Sequence, residues 1–387
     1  MKIAYCILGT FNSGGMERVL ANKANYLIKQ GHDVTVITTD QQGRNSYYSL
    51  DTKIQCVDLQ INYTEDLKLG LAKRLVSYTR KQRIHRRKLR LLLSETPQDI
   101  VVSLFDHDAT ILPNIKDNSR KVLEIHFSRY KRLQYNRKGL WRWVDKYRSY
   151  QDLKLVKKFS RFVVLTEEDK RYWGALPHIH VIPNANSFVP KKISTGTTKQ
   201  VIAVGRYDAQ KNFEELIHVW KSVAHVFNDW SLTIYGHGPQ KQSLENQITQ
   251  LDLQNSVTLH PPVTDIEAAY VDSAILVMTS RYEGLPMALL EGQACGLPLI
   301  AYACKCGPRD IIRDSVNGYL IEEGDRIGMA DKLIMLMGNH ELRKELGNNA
   351  AQMSQNYAED IIMKQWLDLF DELLQQKEKK YIGAKLR

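Results

Sequence analysis

Short apolar runs separated by stretches of helical periodicity recur along almost the whole chain, and this alternation leaves few folds open. Ile3 to Leu8 reads as a first strand, Gly14 and Gly15 as a tight loop, Met16 to Lys29 as a helix closed by Gly31, and Val34 to Thr38 as a second strand. Further runs at Ile100 to Leu104, Val122 to Ile125, Phe162 to Leu165 and Val181 to Ile182 are nearly unbroken by polar residues, as strands buried on both faces of a parallel sheet are. The pattern stops at Pro183 to Asn186, and the polar stretch Pro190 to Lys199 reads as a linker. A second series follows at Val201 to Val204, Ser231 to Tyr235, Val257 to Leu259, Ala274 to Met278 and Pro298 to Ala301. The 387 residues suffice for two domains with their own cores. The expected architecture is α/β, with two doubly wound, Rossmann-like domains over residues 1–188 and 198–360. A final helix around Ile361 to Leu374 carries Ile362, Trp366, Phe370 and Leu373 on one face, so it must pack on something.

In open α/β sheets, ligands collect beyond the carboxyl ends of the strands, so the residues following each strand are the ones to question. After Ala274 to Met278 come Glu283 and Glu291, eight residues apart across the start of a helix whose first position suits Pro286. Eight residues at a helical rise span roughly 12 Å, which matches two ends of a nucleotide-sugar better than one metal ion. Backbone N–H groups of Gly284, Leu285 and Met287, on either side of Pro286, mark a helix start with a positive dipole, suited to hydroxyls or phosphates. Glu283 would hold a sugar and Glu291 a ribose, whereas either glutamate taken alone reads as a solvated helix residue. Arg206 and Lys211 follow Val201 to Val204 and precede a helix, where fixed cations can stabilise a departing diphosphate; two solvated surface cations are the bland alternative. Gly14 and Gly15 let backbone approach a diphosphate, or form an ordinary βα turn; the full G-x-G-x-x-G spacing of a dehydrogenase is absent. His126 ends the run Val122 to Ile125, which favours a sugar contact over a core histidine. Asp106 sits with His107 and Asp108 in a polar cluster and either contacts acceptor or sugar or caps the turn before Ala109.

Taken together, Glu283-x7-Glu291 and the Gly205-Arg206…Lys211 element resemble glycosyltransferase family 4, retaining enzymes of GT-B fold, along the whole chain. The resemblance implies two Rossmann-like domains facing across a cleft. The first takes the acceptor, the second takes the donor, and the C-terminal helix 361–387 crosses back onto the first. It implies that Arg206 and Lys211 bind the pyrophosphate, that His126 meets the donor sugar, and that Val263 holds the base through its backbone. The glycine-rich turn Ile234 to Pro239 resembles the family's support for this pocket and is expected to be scaffold more than contact. Gly307 and Pro308 fall beside the sugar, and Asp310 stands where the family carries a glutamate. Transfer with retention is implied, the acceptor hydroxyl attacking the face from which the diphosphate leaves and the donor phosphate taking its proton. No metal is expected, because two cations can replace a divalent ion at the diphosphate. Asn12 to Val19, Val102 to Asp106 and Glu124 to His126 further resemble the branch that adds N-acetylhexosamines to undecaprenyl-diphosphate glycans. A UDP-linked donor and a lipid-linked acceptor follow as expectations.

Composition narrows the partners. A hydrophobic content of 43% and a charged content of 25% describe a soluble globular chain, and no apolar run approaches the roughly 18 residues of a spanning helix. The N-terminal residues lack a signal peptide's apolar core, so a cytoplasmic location is expected, with Cys6, Cys56, Cys295, Cys304 and Cys306 as reduced thiols. The net charge of +11 calls for an anionic partner. Lys68 to Arg90 contains no acid, with Leu67, Leu71, Leu75 and Tyr78 at helical spacing; Arg129 to Trp143 mixes cations with aromatics. At about 1 kcal/mol per cation near an anionic leaflet, half of these charges would hold the protein on the inner face of a membrane. Nucleic-acid recognition motifs are absent. A solvated basic face, a soluble transferase acting on a small acceptor, and a catalytically idle binding module are the competing readings.

Overall fold

The computed structural model describes residues 1–131, 139–263 and 265–385 and divides into two units. The first comprises Met1–Leu165, Lys170–Ile182 and Ile362–Arg387; the second comprises Thr166–Asp169 and Pro183–Ile361.

Unit 1 is built on β1 (Lys2–Ile7), β2 (Asp33–Thr38), β3 (Gln55–Asp58), β4 (Ile100–Ser103), β5 (Arg120–Glu124), β6 (Arg161–Val164) and β7 (Ile179–Val181). They form one parallel sheet in the order β3-β2-β1-β4-β5-β6-β7. The connecting helices are α1 (Gly15–Lys29), α2 (Leu71–Glu95), α3 (Leu140–Val156) and α4 (Glu167–Trp173). Strand order reverses between β1 and β4, which makes the loops after those two strands the natural ligand crevice.

Unit 2 repeats the plan with β8 (Gln200–Val204), β9 (Ser231–Tyr235), β10 (Val257–His260), β11 (Ile275–Met278), β12 (Leu299–Tyr302) and β13 (Gly318–Ile321), ordered β10-β9-β8-β11-β12-β13. Its helices are α5 (Phe213–Ala224), α6 (Lys241–Gln250), α7 (Ile266–Val271), α8 (Met287–Ala294), α9 (Pro308–Ile311), α10 (Arg326–Gly338) and α11 (His340–Ser354). Here the switch lies between β8 and β11. The doubly wound α/β expectation holds in both halves.

The last helix, α12 (Glu359–Lys385), buries Ile362, Met363, Trp366, Phe370 and Leu373, and from Ile362 onward it belongs to unit 1. Arg120 Nε donates to the Leu373 carbonyl at 3.2 Å, and Arg161 pairs with Glu372 at 2.6 Å. Apolar burial along one helical face therefore explains why the helix docks rather than continuing into solvent.

One local expectation needs correction, and two further features are not readable from the apolar runs. Pro286 precedes α8 as an extended cap residue (φ −71°, ψ 109°) rather than occupying its first turn. Leu71 and Leu75 share a face with Leu89 and Leu93, yet only the C-terminal half of α2, through His85, Leu89 and Leu93, is buried, while Leu71 remains 75% exposed. Strand β3 offers no apolar run, being a half-exposed edge strand, and β13 offers only Tyr319 to Ile321 after a glycine.

Candidate active site

The loops after β8 and β11 meet in unit 2. Asp208 shapes the first: its Oδ1 accepts the N–H groups of Gln210 and Lys211 at 3.0 and 3.2 Å, and its Oδ2 takes Arg206 Nε at 2.5 Å. Asn212 then adopts a left-handed conformation (φ 54°) before α5 begins. Buried Tyr207 anchors the loop, donating its hydroxyl to the carbonyls of Ile234 and His260. Gly236 is needed here, because a Cβ would stand 1.9 Å from the Gly205 oxygen. Thus the glycine turn after β9 supports the cation loop by close backbone approach.

Folding this loop brings Lys211 Nζ to 2.6 Å from Glu283 Oε1, with the two side chains 18% and 7% exposed. Arg206, by contrast, is 62% exposed. Glu283 is held from the other side as well: its N–H donates to the Lys305 carbonyl, and Gln210 Nε2 reaches the Tyr282 carbonyl. Gly307, at φ 96°, lies so close that a Cβ would sit 2.3 Å from Pro286 Cδ and 3.1 Å from the Gly284 oxygen. Burial, with Glu283 adding to it, pushes the neighbouring Cys304 thiol well up, which leaves it inert as a nucleophile.

Glu291 is buried in α8, not solvated. Ser187 Oγ donates to its Oε1 at 2.5 Å and Tyr270 to its Oε2 at 2.9 Å. A carboxylate oxygen has two lone pairs, so each can accept a second bond from a diol. Leu285 is buried beside Pro286, Val263 is half-buried ahead of α7, and Asp310 lies in the short helix α9, its carbonyl accepting from Tyr357 at 2.8 Å.

In unit 1, Gly14 caps α1 and Gly15 opens it; a Cβ on Gly14 would collide with Glu17 Oε2 at 2.2 Å. The Asp106 side chain accepts from His107 N at 2.7 Å, while its carbonyl, not its carboxylate, holds Ala109 N. Phe105 before it is left-handed (φ 59°), an unfavourable conformation that turns Asp106 to Asp108 over the end of β1. Cys6, Ile37, His85, Asp106, His107 and Asp108 gather there around a closely packed depression. Burial drives the Asp108 carboxyl up to about 8 and, with His107 beside it, the His85 imidazole down to about 4.

His126 follows β5, with Nε2 3.0 Å from Glu124 Oε1. Glu124 is 1% exposed and receives both of its shortest contacts from Lys23 of α1, at 2.6 Å to each oxygen. Burial acts to raise the Glu124 carboxyl, but Lys23 and His126 outweigh it and hold the group down at about 2. Lys23, Ser187 and Tyr270 are residues of these clusters that sequence reasoning misses. Lys23 leaves a trace in the sequence, a cation among Leu20, Ala24 and Leu27 on the apolar face of α1; Ser187 and Tyr270 leave none.

The basic surface is selective. On α2, Lys81 bonds Asp66 and the Asn62 carbonyl, and Lys88 bonds the Leu59 carbonyl, while Arg83, Arg86, Arg87 and Arg90 are exposed. Arg129 stacks on buried Trp173, and residues 132–138 of the second patch lie outside the described residues. Its aromatic character extends along α3 instead, where Trp143, Tyr147 and Tyr150 are exposed on one face with Lys146 and Lys154 against two of the rings.

Residues 13–185 match the family model described as Glycosyltransferase Family 4, and residues 186–353 that of Glycosyl transferases group 1. An uncharacterized glycosyltransferase of Haemophilus influenzae is 31% identical over 94% of this chain and 98% of its own length. A Campylobacter jejuni α-1,4-N-acetyl-D-galactosaminyltransferase, named for an undecaprenyl-diphosphate-linked GalNAc-GalNAc-diNAcBac acceptor, is 27% identical over 96% of this chain and 99% of its own length. Among solved structures, a mutant of Staphylococcus aureus TarM in complex with fondaparinux, alpha-GlcNAc-glycerol and UDP superposes with a TM-score of 0.76 at 19% identity, covering 96% of this chain and 100% of that one. That likeness is one of fold.

Proposed function

Starting from the fact that the chain belongs to glycosyltransferase family 4 and is a glycosyltransferase of bacterial polysaccharide synthesis with the GT-B architecture, we propose that it is a retaining, metal-independent transferase. Its donor is a UDP-linked hexose or N-acetylhexosamine and its acceptor a lipid-linked glycan. The observation that carries this reading is the Lys211–Glu283 pair at the strand-order switch between β8 and β11. Lys211 and the exposed Arg206 supply the positive charge that a leaving diphosphate needs, already fixed before charge develops. Glu283 accepts from donor-sugar hydroxyls once Lys211 turns to phosphate, and Glu291 accepts from the ribose diol. His126 meets the reacting sugar, and the acceptor hydroxyl passes its proton to the departing phosphate oxygen. Gly14, Gly15 and the α8 start at Gly284 to Pro286 supply backbone contacts, with Val263 at the base and Asp106 at acceptor or sugar.

A lipid-linked acceptor is supported by the surface of unit 1. Exposed Leu71 and Leu75 precede the exposed arginines of α2, and the aromatic face of α3 is of the kind that settles at a bilayer interface. We assign the protein to the inner face of the cytoplasmic membrane, held peripherally. Among the described residues no helix is long and apolar enough to cross one.

Calorimetric titration with UDP-, GDP- and ADP-sugars, with and without EDTA, tests the reading. One UDP-sugar bound equally in both conditions supports it; binding that EDTA abolishes removes the metal-independent mechanism, and no binding at all removes the assignment.

A further inference from the structure

The contacts of Glu124 exceed what holding β5 in place requires. The carboxylate is 1% exposed at the carboxyl end of that strand, and Lys23 bonds both of its oxygens. The Lys23 ammonium is capped by the Trp366 ring of α12 at 3.8 Å and lies 5.8 Å from the Tyr5 ring of β1. Both charges are shut away from solvent. A buried pair of this kind is seldom more stable than apolar residues of the same size, so stability alone is a weak reason for it to be there.

The carboxylate's other neighbour is His126. The imidazole Nε2 is buried and makes no well-aligned hydrogen bond, and Glu124 Oε1 at 3.0 Å is the acceptor within reach. A buried ring nitrogen without a partner is costly unless a small rotation gives it one, and here a rotation of the ring completes an Nε2–H to carboxylate bond. Nδ1 has no hydrogen-bond partner among the described residues. The identity of the protonated ring nitrogen is set by the bond that nitrogen makes.

We propose that Glu124 is a positioning residue, which fixes His126 with its proton on Nε2 and leaves Nδ1 to accept a hydrogen bond from a sugar hydroxyl, while Lys23 balances the carboxylate charge. The sugar-facing role of His126 is taken from the function proposed above; the orientation of its ring is not. Glu124 touches no substrate and acts through the imidazole alone. Lys23 makes the arrangement viable, since an unpaired carboxylate at this depth would take up a proton and lose its acceptor character.

The test uses the full chain and two double variants, because removing one member of the pair alone would strand a buried charge. Lys23→Met/Glu124→Leu removes the acceptor, whereas Lys23→Met/Glu124→Gln restores an acceptor oxygen without charge. Ring nitrogen-15 spectra should place the His126 proton on Nε2 in the wild type and the Gln variant, and shift it toward Nδ1 in the Leu variant. With a UDP-sugar, kcat/KM should fall about 10- to 100-fold in the Leu variant, by analogy with loss of a carboxylate that orients a metal-ligating histidine, and recover in large part in the Gln variant. The affinity for UDP, bound by unit 2, should not change. An Nδ1 proton in the wild type, or the same tautomer in the Leu variant, overturns the proposal. Full activity of a folded Leu variant does so too, leaving the pair a structural one. Should the wild type transfer no sugar, the proposed function fails while the spectra still decide whether Glu124 orients His126.

Discussion

Lys211 and Glu283 are 72 residues apart in sequence and 2.6 Å apart in space. Each is the other's partner, so under the proposed function binding a donor is an exchange in which phosphate takes the ammonium and sugar hydroxyls take the carboxylate. Lys211→Ala should weaken UDP binding about 10- to 100-fold, as expected for a hydrogen bond between charged groups, without unfolding unit 2. Calorimetry with UDP measures it, and unchanged affinity would remove Lys211 from the diphosphate site.

Glu291 should behave differently, because its carboxylate is held by Ser187 and Tyr270. Glu291→Ala should weaken UDP, and Tyr270→Phe should do so less, by about 3- to 10-fold, from the loss of one net hydrogen bond. A UDP analogue lacking the ribose hydroxyls should bind Glu291→Ala and wild type alike. Discrimination that survives in Glu291→Ala would place the ribose elsewhere.

The glycine at position 307 should be hard to replace. With φ at 96° and Pro286 in the space a Cβ would fill, Gly307→Ala is strained whichever way the loop relaxes, at about 1–3 kcal/mol. The thermal midpoint should drop by about 2–4 °C per kcal/mol, and activity should fall further than that loss explains, because the displaced backbone carries Glu283. Calorimetric melting and an assay of the same sample give both numbers; a Tm loss with full activity would uncouple the loop from the site.

Acid and base should act on unit 1 in opposite ways. Asp108, near 8 when folded, keeps a proton that the unfolded chain releases at ordinary carboxylate values, so its burial costs stability progressively as pH rises from about 4 to about 8. Asp108→Asn should therefore melt with the wild type at pH 4 and above it at pH 8. Glu124 is held near 2, and its contribution, complete above about pH 4.5, is lost as pH falls toward 2. A Tm-against-pH profile that is parallel for wild type and Asp108→Asn would contradict the first half of this account.

On the surface, Arg83, Arg86 and Arg87 changed to Glu should release the protein from anionic vesicles and leave neutral vesicles unaffected, with Lys88 kept because it holds the Leu59 carbonyl. Co-sedimentation measures the bound fraction. Retention by anionic vesicles would shift the attachment to α3 with its exposed Trp143 and Tyr147.

The strands buried on both faces and the helices between them are readable from apolar runs alone, and with them the loops that carry Arg206, Lys211 and Glu283. What escapes is set by packing at long range. The apolar spacing of α2 puts Leu71 and Leu75 on the same face as Leu89 and Leu93, but unit 1 covers only the last turns of that helix. Periodicity gives a face and says nothing of how far the core reaches. Likewise Glu291 has the composition of a surface residue until Tyr270 and Ser187, from distant segments, are folded onto it. Lys23 acquires meaning only when β5 and α12 bring Glu124 and Trp366 to it.

That last contact also fixes an order of assembly. Trp366 and the rest of α12 from Ile362 onward belong to unit 1, yet they are translated after every strand of unit 2. A nascent chain emerging N-terminus first can therefore finish unit 2 while unit 1 still lacks the ring that closes over Lys23. Until then the Lys23 ammonium lacks the Trp366 ring that caps it in the folded chain. His126, beside Glu124, is thus among the last parts of the molecule to gain its final surroundings.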